Sequence, residues 1–312
     1  MKFMAGLKNN DKKFLDCIIK NKMHIQEVYF SWGDFANGRS NQLLSEDYTP
    51  WELMDIQREM LRILSDNDIS LNLLFNANCY GRDSISRAFF HKVGCTVDYV
   101  HSTYGLSSVT TTSPLIAKFI KENFEDVDVR ASVNMEIGTI DGMEYIAPYF
   151  DGYYMKRELN HNFPEIERLS AWCKSRGKKL YMLANSGCLN NCSVHNFHDN
   201  LVAHEDEIAK MDNAYTFTGM CREFLKNEKN YHSLIDKLNF VRPEDVQRYE
   251  KYFDGIKLAT RTNRNPSNVL ESYIKGQYSG NVLSLLEPEH NIYPYVIENG
   301  EPLKLVKLTE SK

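Results

Sequence analysis

The sequence predicts an α/β protein built as one (β/α)8 barrel of the TIM type, with a short C-terminal β appendage. Three observations predict it. Short β-type runs alternate with amphipathic stretches along most of the chain. The 312 residues suit one such barrel, which takes about 250. The residues ending the β-type runs are polar and reactive, and in this architecture strand ends meet at one mouth.

The β-type runs lie at 26–31, 70–77, 106–111, 128–134, 151–155, 179–185, 237–241 and 254–259. Eight runs separated mostly by helices give a barrel over about 24–285, within a single domain covering 1–312. Helix starts are written out between them. Thr49-Pro50-Trp51-Glu52 offers an N-cap, a proline at the first helical position and a glutamate at the third. Leu53, Ile56, Met60, Ile63 and Leu64 then follow at helical spacing. Ser113-Pro114 opens a second helix, with Leu115, Ile116, Phe119 and Ile120 as its inner face. Pro164 opens a third, carrying Ile166, Leu169 and Cys173, with Gly177 as its stop. Arg242-Pro243 and Asn265-Pro266 start two more. After about residue 285 helical periodicity ends.

With 37 basic and 42 acidic side chains the net charge is −5, and a quarter of the residues are charged. That balance excludes a disordered chain and argues against the basic surface that DNA binding demands. No apolar run approaches the roughly 18 residues of a membrane span, and Phe14 to Ile19, interrupted by Asp16, is no signal segment. The expected location is the cytoplasm. The seven cysteines are an odd number, which argues against a disulfide framework. Cys17, Cys95 and Cys173 lie in or beside apolar stretches and read as buried packing residues.

The strand ends carry Trp32 and Asp34; Asn76, Asn78 and Cys79; Asn134 and Glu136; Lys156, Arg157 and Glu158; Asn185 and Cys188; and Thr260 and Arg261. The sharpest local feature is Asn185-Ser-Gly-Cys188-Leu-Asn-Asn-Cys192-Ser-Val-His195-Asn-Phe-His198. Two cysteines four apart on a Gly/Asn-rich turn can aim both thiolates at one metal, and Gly187 permits close backbone approach. Cys221 follows 29 residues after Cys192, and Cys79 ends the second predicted strand. Four thiolates match a four-iron four-sulfur cluster. Zinc is the competitor, since Cys188, Cys192, His195 and His198 make a Cys₂His₂ set, though one more compressed than a zinc finger. A radical-SAM site wants C-x₃-C-x₂-C, and His195 stands at its third position. On spacing alone, loop cysteines that bind nothing remain equally compatible.

Among the other mouth residues, Arg261 precedes a helix start suited to an anion, and Arg157-Glu158 could be an ion pair closing a strand. His195 and His198 are the side chains that titrate near neutrality. No G-x-S-x-G elbow, Walker A loop or G-x-G-x-x-G loop occurs.

The segment LANSGCLNNCSVHNFHDN (183–200), then Cys221, then FVRPEDVQRYEKYFDGIKLATRTNR (240–264) and a Tyr-containing helix from Leu270 to Tyr278, resembles the collagenase-like U-32 peptidase family, especially its shorter members. The resemblance spans about residues 70–285. It implies a TIM-like barrel. Relatives include proteins of oxygen-independent hydroxylation acting in ubiquinone biosynthesis and on transfer and ribosomal RNA, several of which hold a four-iron four-sulfur cluster on four cysteines. The corresponding set here is Cys79, Cys188, Cys192 and Cys221, with the last cysteine differently placed along the chain. The sequence lacks the longer E-x-F-…-G-…-C-…-G-x-C signature of the peptidase-named branch.

The resemblance thus leads to a cluster-bearing barrel enzyme of oxygen-independent hydroxylation or a related redox modification. Arg157 and Arg261 would hold an anionic small molecule or RNA, with His195 or His198 moving protons. A metal-dependent hydrolase with Glu136 or Glu158 as base is the alternative. A third reading is a non-catalytic cluster-bearing subunit of a heteromeric complex.

Overall fold

The computed structural model describes residues 1–33, 35–38, 47–208, 211–212, 217 and 219–308. Eight parallel strands close a barrel in chain order. They are β1 (Phe3–Gly6), β2 (Ile25–Phe30), β3 (Ser70–Phe75), β4 (Leu106–Thr111), β5 (Asp128–Ala131), β6 (Gly152–Tyr154), β7 (Lys179–Leu183) and β8 (Gly255–Leu258). Closure comes from β1 pairing with β8, Phe3 opposite Ile256. A separate antiparallel pair, β9 (Tyr295–Glu298) and β10 (Lys304–Lys307), forms the expected C-terminal appendage. Among the described residues no helix is long and apolar enough to cross a membrane.

The outer helices include α1 (Lys12–Lys20), α2 (Pro50–Asp66), α3 (Arg87–Tyr104), α4 (Pro114–Asn123), α5 (Ile140–Glu144), α6 (Phe163–Ser175) and α7 (His195–Ala203). Their starts follow the written signals. Thr49 and Glu52 cap α2 reciprocally, the Thr49 N–H donating to Glu52 Oε2 at 2.8 Å and the Glu52 N–H to Thr49 Oγ1 at 3.3 Å. Ser113 caps α4, and Asn162 caps α6.

The strand assignment needs two corrections. The barrel opens at β1, ahead of residue 24; four residues carry too little periodicity to announce a strand, and long-range pairing alone defines this one. The run 237–241 is no barrel strand. Leu238, Phe240 and Val241 are buried, and the segment lies over the end of β7, where the Val241 N–H donates to Ala184 O. A short apolar run signals burial without saying against what. Two burial expectations also fail. Cys95 is exposed, because Val93, Val97, Val100 and Tyr104 form the inner face of α3 and Cys95 lies about 200° round from Val93. Leu115 is exposed, while Ile116 and Ile120 carry the inner face of α4. Cys17 and Cys173 are buried as expected, and burial pushes the Cys173 thiol up to about 12.

Strand alternation divides the core. Phe3, Ala5, Val28, Phe30, Leu71 and Leu73 face the helices, while Met4, Tyr29, Leu74, Tyr154, Tyr181 and Leu183 fill the barrel. The filling includes a charged layer. Arg130 Nη1 lies 2.6 Å from both Glu27 carboxylate oxygens, Asn72 and Ser108 donate to the same carboxylate, and the guanidinium sits 4.6 Å from the Tyr181 ring centroid. Partners this complete are what let a carboxylate remain inside a barrel.

Breaking that pair strands a charge. Arg130→Met should cost about 3–5 kcal/mol in urea unfolding, and Arg130→Met combined with Glu27→Gln distinctly less. A double variant as unstable as the single would show that the pair's geometry is not what neutralises Glu27.

Candidate functional site

The cysteine loop begins where β7 leaves the barrel. Asn185 is fully buried and ties β7 to β8. Its Nδ2 donates to Ala259 O and Leu285 O at 2.8 Å each, and its Oδ1 accepts from the Ala259 N–H at 2.6 Å. The C-terminal segment then grips the next residues. Gly187 N–H donates to Glu287 O, Gly187 O is 2.6 Å from His290 Nε2, and the Glu287 carboxylate accepts from Thr262 N–H. A Cβ on residue 187 would lie 1.9 Å from Pro288 O, so only glycine fits. Asn239 Nδ2 donates to Cys188 O at 3.0 Å. Four asparagine bonds and a glycine contact thus set where Cys188 starts.

Cys188 and Cys192 come from the loop after β7 and Cys221 from a later segment, close enough for their charges to act on its thiol. The Cys221 thiol is pushed up by burial first and then by the nearby charges of Cys188 and Cys192, while the Arg222 N–H pulls it down. Three thiols that would repel one another as thiolates are a donor set suited to a thiophilic cation. Cys79 stands in the loop after β3. Its sulfur accepts from the Gly81 N–H at 3.4 Å, and hydrogen bonding from His204 and Gly81 lowers its pKa.

Arg157 is the hub of the mouth. It is 1% exposed. Nη1 lies 3.3 Å from Cys188 Sγ, and Nη2 lies 3.4 Å from Asn134 Oδ1 and 3.1 Å from Glu136 Oε1. Its carboxylate partner is therefore Glu136, across the barrel end, and not its neighbour Glu158. Glu136 follows β5 in a left-handed conformation, φ +54°, held by its N–H to Val133 O. Non-glycine residues adopt that region at a cost, which is common where a side chain must be aimed. Burial raises the Glu136 carboxyl to about 7; Arg157 opposes the shift, and Glu158 and Asp199 add to it.

His195 completes the chain of contacts. Nδ1 is 3.5 Å from Glu136 Oε1, and Nε2 is 3.4 Å from the Asp199 carboxylate one turn along α7. His198 instead faces the Phe217 ring at 5.5 Å and, with Cys221 Sγ, flanks Gly219. Arg261 is buried, with Nη1 3.4 Å from Asn37 Oδ1 and its guanidinium 5.8 Å from the Tyr29 ring. Asp34 lies outside the described residues. Sequence reading missed Asp199, which only the i, i+4 spacing from His195 could have flagged, and His204.

Two donor sets result. Among the described residues the sulfurs of Cys188, Cys192 and Cys221 do not gather within 4.8 Å of one another, wider than one ion's shell, and would suit a cluster only if each thiolate binds a different iron. Ligand atoms of Glu136, Glu158 and His195 lie within 4.8 Å of one another, the spacing of a single divalent ion's shell. Among the described residues, the set Cys188, Cys192, His195 and His198 does not gather so closely.

Over 296 residues the sequence is 22% identical to an uncharacterized protease of Methanocaldococcus jannaschii, covering 90% of this chain and 81% of that protein. The solved structure of a U32 peptidase shares the fold, with a TM-score of 0.59 and 15% identity over 83% of this chain and 92% of that one. The chain is thus similar in sequence to a protein named a protease and in fold to a U32 peptidase. A phosphoribosylanthranilate isomerase of Thermotoga maritima, in monomeric form, is similar at a TM-score of 0.43 and 12% identity, over 88% of this chain and 97% of that one. No protein-family model matches the sequence. In this barrel Cys188, Cys192 and the Arg157–Glu136–His195 contacts lie beyond the C-terminal strand ends, where barrels of this type place their chemistry.

A carboxyl raised by folding binds a proton that the unfolded chain has released. Its stabilisation is complete below the ordinary value of 4.5 and is lost as pH rises through about 7. Glu136→Gln should therefore flatten the fall in stability between those pH values in denaturant titrations. An unchanged slope would show that Glu136 ionises normally.

Proposed function

We propose that this protein is an iron–sulfur barrel enzyme that modifies an anionic substrate by oxygen-independent hydroxylation or a related redox reaction. The observation supporting the reading is the Cys188 sulfur beside the Arg157 guanidinium at 3.3 Å, with Cys221 near enough to feel the charges of Cys188 and Cys192. When bound, the cluster would supply electron transfer and, with three protein thiolates, one iron position open to a substrate or oxygen donor.

The chain's own residues supply the rest. Arg157 Nη1 donates to Cys188 Sγ at 3.3 Å, so a fixed positive charge stands beside a ligand sulfur before metal arrives. The Glu136 carboxyl, with its pKa about 7, can hold or release a proton at working pH. His195 Nδ1 lies close enough to share that proton, and the Asp199 carboxylate stands 3.4 Å from its Nε2 on the other side. Arg261 adds positive charge at the mouth for an anionic group. Buried asparagines hold this frame rigid, so little reorganisation is needed when substrate enters.

A second reading is supported by the second donor set. Glu136, Glu158 and His195 fit one divalent ion, and both relatives are named as a protease or peptidase. A hydrolase would bind its ion there, and an activated water would give up its proton to a neighbouring carboxylate.

Anaerobic purification with iron, sulfide and zinc analysis and an absorption spectrum separates the two. The cluster reading expects a brown protein with about four irons and acid-labile sulfide, lost in Cys188→Ser, Cys192→Ser and Cys221→Ser and kept in Cys17→Ser and Cys173→Ser. Zinc without iron, lost on Glu158→Gln and unaffected by the cysteine changes, would replace it with the hydrolase.

A further inference from the structure

A cavity of about 350 Å³ opens where the chain after β8 meets the segment leading to β9, a volume that takes a small organic molecule. Neither reading above uses it. Its wall carries two arginines, Arg222 and Arg264, and two glutamates, Glu287 and Glu289. Their charges are not evenly matched in space. Arg264 Nε lies 3.4 Å from Glu289 Oε2, and that pair neutralises itself. Glu287 is buried, and its carboxylate accepts from the Thr262 N–H, which ties it to the backbone after β8. Arg222 is left over. Its side chain is exposed, and among the described residues no carboxylate stands within ion-pair distance of it. His290, also in the wall, is no third cation, because burial lowers its pKa and the Arg222 charge adds to the lowering against the pull of Gly187 O. Asn281 supplies a neutral donor. Its Oδ1 accepts the N–H groups of Leu283 and Ile297, which leaves its Nδ2 as the unused half of the amide among the described residues. Leu283, Leu286 and Ile292, all buried, give the cavity its apolar side.

A guanidinium without a counter-charge, a fixed amide donor and an apolar wall are what an oxyanion on an apolar body needs. Arginine suits the head group because its planar fork matches carboxylate and phosphate oxygens. We propose that this cavity is a binding site for a small organic anion, with Arg222 and Asn281 Nδ2 holding a carboxylate or phosphate head and Leu283, Leu286 and Ile292 meeting the body. The site stands apart from the mouth, since neither Arg157 nor Arg261 is among its described lining residues. It rests on neither metal reading. Its wall nonetheless belongs to the segment that grips the cysteine loop. Glu287 O accepts the Gly187 N–H, and His290 Nε2 lies 2.6 Å from Gly187 O. A bound anion therefore packs against the segment that sets where Cys188 starts.

The test is calorimetric titration of the full chain, at fixed ionic strength, with benzoate, phenyl phosphate and benzylamine, which carry the aromatic body on a carboxylate, a phosphate and a cationic head. We expect one-to-one binding of at least one anion, with a Kd on the order of 1 mM or tighter for a ligand of this size, and no binding of benzylamine. The tighter of the two anions names the head group. Arg222→Met should weaken that anion at least about tenfold, the loss of a charge-assisted bond, and Arg222→Lys should recover part of it. Arg222 is exposed, so both variants change the charge without disturbing the core. Folded Arg261→Gln should bind the anion as the native chain does, which separates this site from the mouth. Benzylamine as the tighter ligand, no anion binding at millimolar concentrations, or anion binding that survives Arg222→Met would each overturn the proposal. So would binding lost in folded Arg261→Gln, which would place the anion at the mouth.

Discussion

A guanidinium that is almost wholly removed from water must find its counter-charges where it sits, and Arg157 finds them at the barrel mouth. From the connection after β6, its two terminal nitrogens reach a sulfur in the connection after β7 and an amide oxygen and a carboxylate in the connection after β5. An unpaired charge in that position would cost several kcal/mol, so the three connections are tied to one point. This requirement accounts for the left-handed turn at Glu136, which no local preference favours. It also brings Cys188 next to a fixed positive charge. Proton-holding and sulfur chemistry are thus placed side by side by the same group.

The frame around this point is mostly amide. Asn160 donates to Leu183 O and Asn239 O, Asn185 ties β7 to β8, and Asn239 holds Cys188. Buried amides serve here because they satisfy backbone groups at strand ends, where the ladder stops and carbonyls would otherwise be orphaned. The segment around Glu287 and His290 adds a clamp from the far end of the chain. Burial lowers the pKa of His290, which favours the neutral imidazole as a rigid partner for Gly187 O.

Much of this was legible in the sequence. Proline-marked helix starts and polar strand ends gave the barrel and its mouth, and the Cys188–Cys192 loop stood out by composition. What was hidden is long-range. β1 exists only through its pairing with β8. The segment at 237–241 has a strand's composition but packs against the end of β7 outside the barrel sheet. Glu136 could be named as a strand-end residue, yet its partnership with Arg157, and not the adjacent Glu158, depends on how two loops cross. Cys79 read as a cluster thiol because it follows a strand, and its neighbour His204 lies 125 positions away. Spacing along a chain finds ligands that sit in one loop, and is silent about those that folding brings from another.

The central claim is that the mouth binds metal through sulfur. Iron K-edge X-ray absorption on anaerobically reconstituted protein measures this most directly. The account predicts a sulfur-dominated first shell with a short iron–iron contact, lost when Cys188, Cys192 and Cys221 are replaced together. A shell of oxygen and nitrogen with no second iron, unchanged by that replacement, would contradict it and assign the metal to Glu136, Glu158 and His195.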